Sequence, residues 1–233
     1  MGARVGDDGP MGSGEGEVDG GDPVDQGDRG GRPALTNAHA LAACAQELFL
    51  RDGFEQTTVA DIARAAGVSS RTFFRYFPAK ADVVWVESDA EIAVFRTVLD
   101  AAAGDAATGG VAAGGVDAWR VIADGFAASL DHGDAQETWA RHRAELILRE
   151  PAVQAQATVI YAQWRATIAE FVATCLRIEP SSAPVVAIAY AGIAASRGAH
   201  ELWLAQTGMP LSDCIFRMFE LMRPAISTTI ETR

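Results

Sequence analysis

The sequence predicts an all-α chain of about nine helices, a small head of three followed by a larger bundle. Three observations predict it. Apolar residues recur at helical spacing from Asn37 onward, no strand-like alternation appears past Ala103, and two short capped segments flank a glycine turn at Gly67. With 233 residues, 49% of them apolar and 21% charged, the chain can bury a full-size core in one or two domains.

Residues 1–32 precede the helices. They hold 11 glycines, 8 acidic and 3 basic residues and almost no large apolar side chain. Such a segment cannot offset the entropy of ordering and is expected to be a disordered arm. The first helix follows, with Leu41, Ala45, Leu48 and Phe49 on one face and Gly53 as its left-handed stop. Thr58 caps a second helix, with Asp61 three residues on completing a capping box, and that helix runs to about Ala65. After Ala66-Gly67-Val68, Ser69 caps a third helix that Pro78 ends. Lys80 opens a long fourth helix to Ala103, and Gly104–Gly115 reads as a loop. Further helices are expected at about 117–131, 135–149 (N-cap Asp134), 152–178, 184–206 and 211–223, punctuated by Pro151, Pro184 and Gly208. The domains are therefore the arm at 1–32, a head at 33–82 and a helical body at 83–233.

Several classes are excluded. Nothing approaches the ~18 consecutive apolar residues of a membrane span. The acidic N-terminus lacks the apolar stretch of a secretory signal. Cys44, Cys175 and Cys214 are odd in number, far apart and without a CxxC, as expected of reduced thiols in a cytosolic protein. The four histidines form no HExxH, no GxSxG elbow occurs, and the glycine clusters match no phosphate loop. No catalytic residue, metal or cofactor is expected. The net charge of −12 argues against a nucleic-acid partner until its placement is read. Residues 33–82 carry five acidic and five basic residues and the chain's single lysine, so this stretch alone escapes the negative excess.

That stretch carries the functional signal. The run from Phe54 to Lys80 contains Thr57-Thr58-Val59, Ile62-Ala63, Ala66-Gly67-Val68-Ser69 and Thr72-Phe73-Phe74-Arg75-Tyr76-Phe77. It resembles the DNA-binding head of the TetR (tetracycline-repressor-like) family, which implies a helix-turn-helix, a homodimer, a double-stranded operator and release by a small molecule. Independently, Val59, Ile62, Ala63, Val68, Phe73 and Phe77 would weld the second and third helices to the first. Ser70, Arg71 and Thr72 are then left at the open tip of a recognition helix. Arg71 suits guanine O6/N7 and Thr72 the thymine methyl. Thr57 and Thr58 sit where a phosphate is favoured, and Arg75, Tyr76 and Lys80 fit backbone phosphates. Phe74 departs from the family, many of whose members place a tyrosine hydroxyl there.

In the body, Trp119, Phe126, Trp139, Tyr161, Trp164 and Phe171 are bulky side chains on consecutive helices, candidates for a ligand pocket as well as for ordinary core. Arg143 and Arg149 flank Leu146-Ile147-Leu148 and suit either an anionic head group or a helix-surface pair with Glu145 or Glu150. The stretches Leu146–Gln154 and Tyr161–Arg165 are similar to TetR proteins of the mycofactocin-regulator type, which implies an acyl-CoA or another hydrophobic effector. Small residues Ala187, Ala191, Ala194, Ala195 and Ala199, with Ile215, Phe219 and Met222 on the last helix, suit a dimer interface or an internal hairpin. The expectation is a ligand-released repressor. The alternative is a helical small-molecule-binding or interaction protein that no longer binds DNA.

Overall fold

A computed structural model describes residues 38–107 and 117–230, with side chains described for most of them. The disordered arm expected at 1–32 and most of the loop expected at 104–115 lie outside the described residues. Among the described residues there are nine α-helices and no strand. They are α1 (Ala38–Asp52), α2 (Val59–Ala65), α3 (Ser70–Tyr76), α4 (Ser88–Ala107), α5 (Ala118–Ser129), α6 (Glu137–Arg149), α7 (Pro151–Leu176), α8 (Ala183–Ala205) and α9 (Leu211–Ile230).

The local signals act as their chemistry requires. Thr58 and Asp61 cap each other at the start of α2, and Ser69 accepts from the Thr72 amide at the start of α3. Gly53 and Gly67 both adopt positive φ, closing α1 and turning α2 into α3. Glu150 caps α7, whose second turn is reached through Pro151 at N1.

Three boundaries differ from the sequence reading. The long fourth helix is broken: Lys80–Trp85 is a 3-10 turn, and α4 starts only at Ser88. The run Val83-Val84-Trp85-Val86 is poor in helix formers, and Val83 and Val84 are both fully buried. The body's third helix begins at Glu137 rather than 135, because Asp134–Gln136 forms its own 3-10 turn. Finally, α9 runs through Pro224 to Ile230, past the end expected at 223; proline sacrifices one hydrogen bond there but keeps a helical φ.

Two buried clusters organise the packing. In the first, Leu41, Phe49, Ile62, Phe73, Phe77 and Val84 pack with Leu146 of α6 and Val153 of α7. The head is therefore anchored on the body by shared core. The second joins α4, α5, α7, α8 and α9 around Phe95, Phe126, Trp164 and Ile168. Here α5 approaches α4 at glycine distance: a Cβ on Gly125 would lie 2.8 Å from Leu99 and 2.9 Å from Phe95.

Candidate nucleic-acid interface and buried cavity

The tip of α3 is held outward by its own inner face. Phe73 is fully buried and packs against Phe77 and the edge of Phe74, which fixes the helix roll. Ser70, Arg71, Phe74 and Arg75 are consequently exposed, and Thr72 and Tyr76 half-buried. Thr72 Oγ1 lies 3.0 Å from Ser69 Oγ within the cap. Arg75 donates to the Tyr76 hydroxyl at 3.1 Å, so these two present one joint polar surface. Phe74 is 54% exposed, an apolar ring on an otherwise polar face. Thr58 is also exposed, its hydroxyl donating to Asp61 at 2.5 Å. That bond, the Thr58 amide and Arg64 hold the Asp61 carboxyl down at about 2.

Two residues assigned to phosphate contact are placed otherwise. Thr57 is buried, and its hydroxyl donates to the Gly53 carbonyl at 2.8 Å. Lys80 points inward as well, donating to the carbonyls of Phe54 at 2.5 Å and Thr57 at 3.1 Å. Its ammonium sits 4.1 Å from the centre of the Phe54 ring. Both side chains satisfy carbonyls left open where the chain turns between α1 and α2.

In the body, α4, α5, α6, α7 and α8 line a cavity of about 70 Å³. Of the residues expected there, Phe126, Arg143, Tyr161 and Trp164 line it. Trp119 and Phe171 do not. Trp119 packs on Phe219 and donates its indole N–H to the Phe219 carbonyl at 2.7 Å, while Phe171 is core. Trp139 stands outside the wall, its ring 4.7 Å from His39 and 5.4 Å from His132.

Arg143 is not available to an anionic head group. Only 5% exposed, it forms a two-pronged pair with Glu91 (Nη2 to Oε2 2.8 Å, with Nη1 on Oε1) and donates Nε to the Val84 carbonyl at 2.8 Å. Burial opposes its charge, but Glu91 and Glu87 more than compensate and raise its pKa. Arg149 is the exposed surface pair with Glu145.

Around this pair lies a cluster that sequence reading missed. His132 Nδ1 is 3.3 Å from Glu87 and its Nε2 3.4 Å from Glu91, while His39 of α1 is 2.9 Å from Glu87. His132, and behind it His39, hold the Glu87 carboxyl below its usual range. The donor atoms of Glu87, Glu91 and His132 lie within 4.8 Å of one another, the spacing of a metal-binding set. Here they are engaged with Arg143 and the histidines. A signal was present: Glu91 stands at four-residue spacing with Phe95 and Leu99, a carboxylate heading an apolar stripe.

The small-residue face of α8 is divided. Ala195 and Ala199, with Ile215 and Phe219 of α9, are buried inside the chain, so they serve the internal α8–α9 contact instead of a partner. Ala187 and Ala194 are exposed, and Ala191 and Met222 half-buried. Val186 (41%) and Tyr190 (59%) are exposed on the same stretch, and Leu221 (67%) on α9.

Comparison with known proteins places these features. Residues 41–84 match the model of the bacterial regulatory proteins of the tetR family, and residues 116–227 that of the MftR C-terminal domain. The chain is 30% identical over 199 residues to the putative mycofactocin biosynthesis transcriptional regulator MftR of Mycobacterium tuberculosis, covering 83% of this chain and 93% of that protein. The chain belongs to the TetR family. It is a DNA-binding transcriptional regulator of that family. Over 56 residues, a quarter of each chain, it is 45% identical to the HTH-type transcriptional regulator TcmR of Streptomyces glaucescens. Among solved structures, NalD of Pseudomonas aeruginosa, the secondary repressor of the MexAB-OprM multidrug efflux pump, shares the fold with TM-score 0.51 and 18% identity. That alignment covers 80% of this chain and 94% of NalD. FadR of Thermus thermophilus, a TetR repressor in complex with lauroyl-CoA, aligns at TM-score 0.48 and 23% identity over 80% of this chain and 93% of its own. No helix among the described residues of this TetR protein is long and apolar enough to cross a membrane.

Proposed function

We propose that the protein is a homodimeric repressor. It grips a pseudo-palindromic operator through residues 33–82 and lets go when a small hydrophobic or amphipathic effector enters the body, residues 83–233. Ser70, Arg71 and Thr72 read bases in the major groove, while Thr58, Arg75 and Tyr76 position the head on the backbone. The exposed strip Val186, Ala187, Tyr190 and Ala194, with Leu221, pairs with its copy across a twofold axis. The twofold would set the recognition helices about 34–36 Å apart.

One side chain carries this reading. Arg143 is at once a wall of the cavity and the donor to the carbonyl of Val84, one of the buried residues of the core that head and body share. A ligand pocket commonly spans about 300–1,000 Å³, far above the 70 Å³ present. An effector must therefore spread α4, α6 and α7, and that displacement reaches the head through Arg143. A ligand shifts the equilibrium only by its differential affinity for the two arrangements. An acyl-CoA, the ligand of the FadR structure, is one candidate of the required amphipathic kind.

The test is fluorescence anisotropy with DNA from upstream of the protein's own gene. A sequence-selective complex that weakens steeply between ~50 and ~200 mM salt, and dissociates on adding a saturating effector, is expected. Equal binding to scrambled DNA would overturn the assignment.

A further inference from the structure

Among the residues that line the cavity, Trp85, Ser88 and Trp203 carry buried donors without a hydrogen-bond partner. Ser88 is 4% exposed, and its hydroxyl has no hydrogen-bond partner. The indole N–H of Trp85, three residues earlier, is likewise buried and unpartnered. Trp85 meets the Tyr161 ring edge-on at 6.1 Å, and the Arg197 guanidinium lies 5.8 Å from the same ring. All four line the cavity. Arg197 has no ion pair among the described residues, whereas Arg143, the other cationic wall residue, is neutralised by Glu91. Burial raises the Tyr161 pKa, which keeps the phenol a donor.

A buried donor without an acceptor is costly, and an unpaired guanidinium lining the same cavity sets up a site for negative charge. The same lining offers apolar surface, with Phe126 stacked on Trp164 at 5.2 Å and Ile193 also contributing. We propose that the effector is an amphipathic carboxylate, its carboxylate held by Arg197, Ser88 and the Trp85 N–H and its apolar body lying against Phe126, Trp164 and Ile193. This rests on the cavity being the effector site. It adds both the ligand's charge and the direction of the signal. Trp85 and Ser88 flank the junction between the 3-10 turn and α4, the stretch that joins head to body. An anion drawing both inward moves that junction directly.

Decanoate, decanol and decanoyl-CoA are the probes, titrated by calorimetry into the full-length protein and, in parallel, into its operator complex. The parent is expected to bind decanoate at least about tenfold more tightly than decanol and to release DNA with it. Arg197→Met should bring the two ligands to within about threefold, and Arg197→Lys should restore part of the gap. The melting temperature of each variant confirms that it is folded. Decanol or decanoyl-CoA binding as tightly as decanoate would overturn the carboxylate assignment while leaving the cavity as the effector site. If none of the three binds or releases DNA, both readings fall.

Discussion

The ammonium of Lys80 sits 2.5 Å from the carbonyl oxygen of Phe54 and 4.1 Å from the centre of its ring. One cation thus closes the α1–α2 turn from below, using hydrogen bonds and ring face together. A charged hydrogen bond of this kind contributes about 1.5–3 kcal/mol, and the ring contact about 0.5–2 more. Lys80→Met should lower head stability by about 2 kcal/mol in urea denaturation. It should leave the slope of log affinity against log salt for operator binding unaltered. A slope reduced by about 1 would instead show a phosphate contact.

Arg71 stands exposed at the tip of α3, and no acid among the described residues pairs with it. Arg71→Ala should cost about 1–3 kcal/mol in operator affinity and relax base choice at one position of each half-site. Selection from randomised operators with parent and variant reads this directly. Unchanged preference would remove Arg71 from the recognition set.

Legibility in the sequence followed the range of the interaction. The head was legible because Thr58–Asp61, Ser69–Thr72 and Gly67 act within three or four residues, where spacing alone decides geometry. The break at Trp85 was hidden because Lys80–Ala103 has a continuous apolar pattern, and the burial of Val83 and Val84 and the bond of Lys80 to Phe54, 26 residues back, are long-range contacts. The pair of Arg143 with Glu91 spans 52 residues, so pattern reading offered an anionic head group or the near neighbours Glu145 and Glu150 in its place. The α8 stripe misled for a related reason. Ala195 and Ala199 are small because α9 packs on them, and a sequence does not say which face meets its own chain and which a partner.

Arg143 and Glu91 form a buried pair, and their worth lies in being together. Arg143→Met leaves the Glu91 carboxylate buried and uncompensated, which should cost about 3–5 kcal/mol. Arg143→Met with Glu91→Leu should recover most of that, since both desolvation penalties disappear. The double variant should nonetheless respond poorly to effector, because the link from cavity to Val84 is gone. Chemical denaturation of the two variants and the parent gives the first comparison, and effector-driven DNA release the second. A double variant as unstable as the single one would mean that Arg143 acts through Val84 alone.

His200 gives the protein a pH dependence of defined sign. Burial, above all, lowers its pKa from the ordinary 6.5, against the pull of the Ser196 carbonyl 2.8 Å from Nδ1. Arg143 and His132 push the same way, and Glu91 opposes them. Below pH 6.5 the unfolded imidazole therefore takes up a proton that the folded one refuses. Stability should fall as pH drops through that value, by at most about 1.4 kcal/mol per pH unit for this one group, and level off once the folded imidazole also protonates. The contribution of Glu87 has the carboxylate sign: its lowered pKa stabilises the fold above pH 4.5, and this is lost as the pH falls further, so the two windows separate. Urea midpoints at successive pH values for parent and His200→Gln isolate the histidine. The difference between the two curves should narrow from neutral pH towards acid, and parallel curves would show that His200 is protonated alike in the folded and unfolded chains.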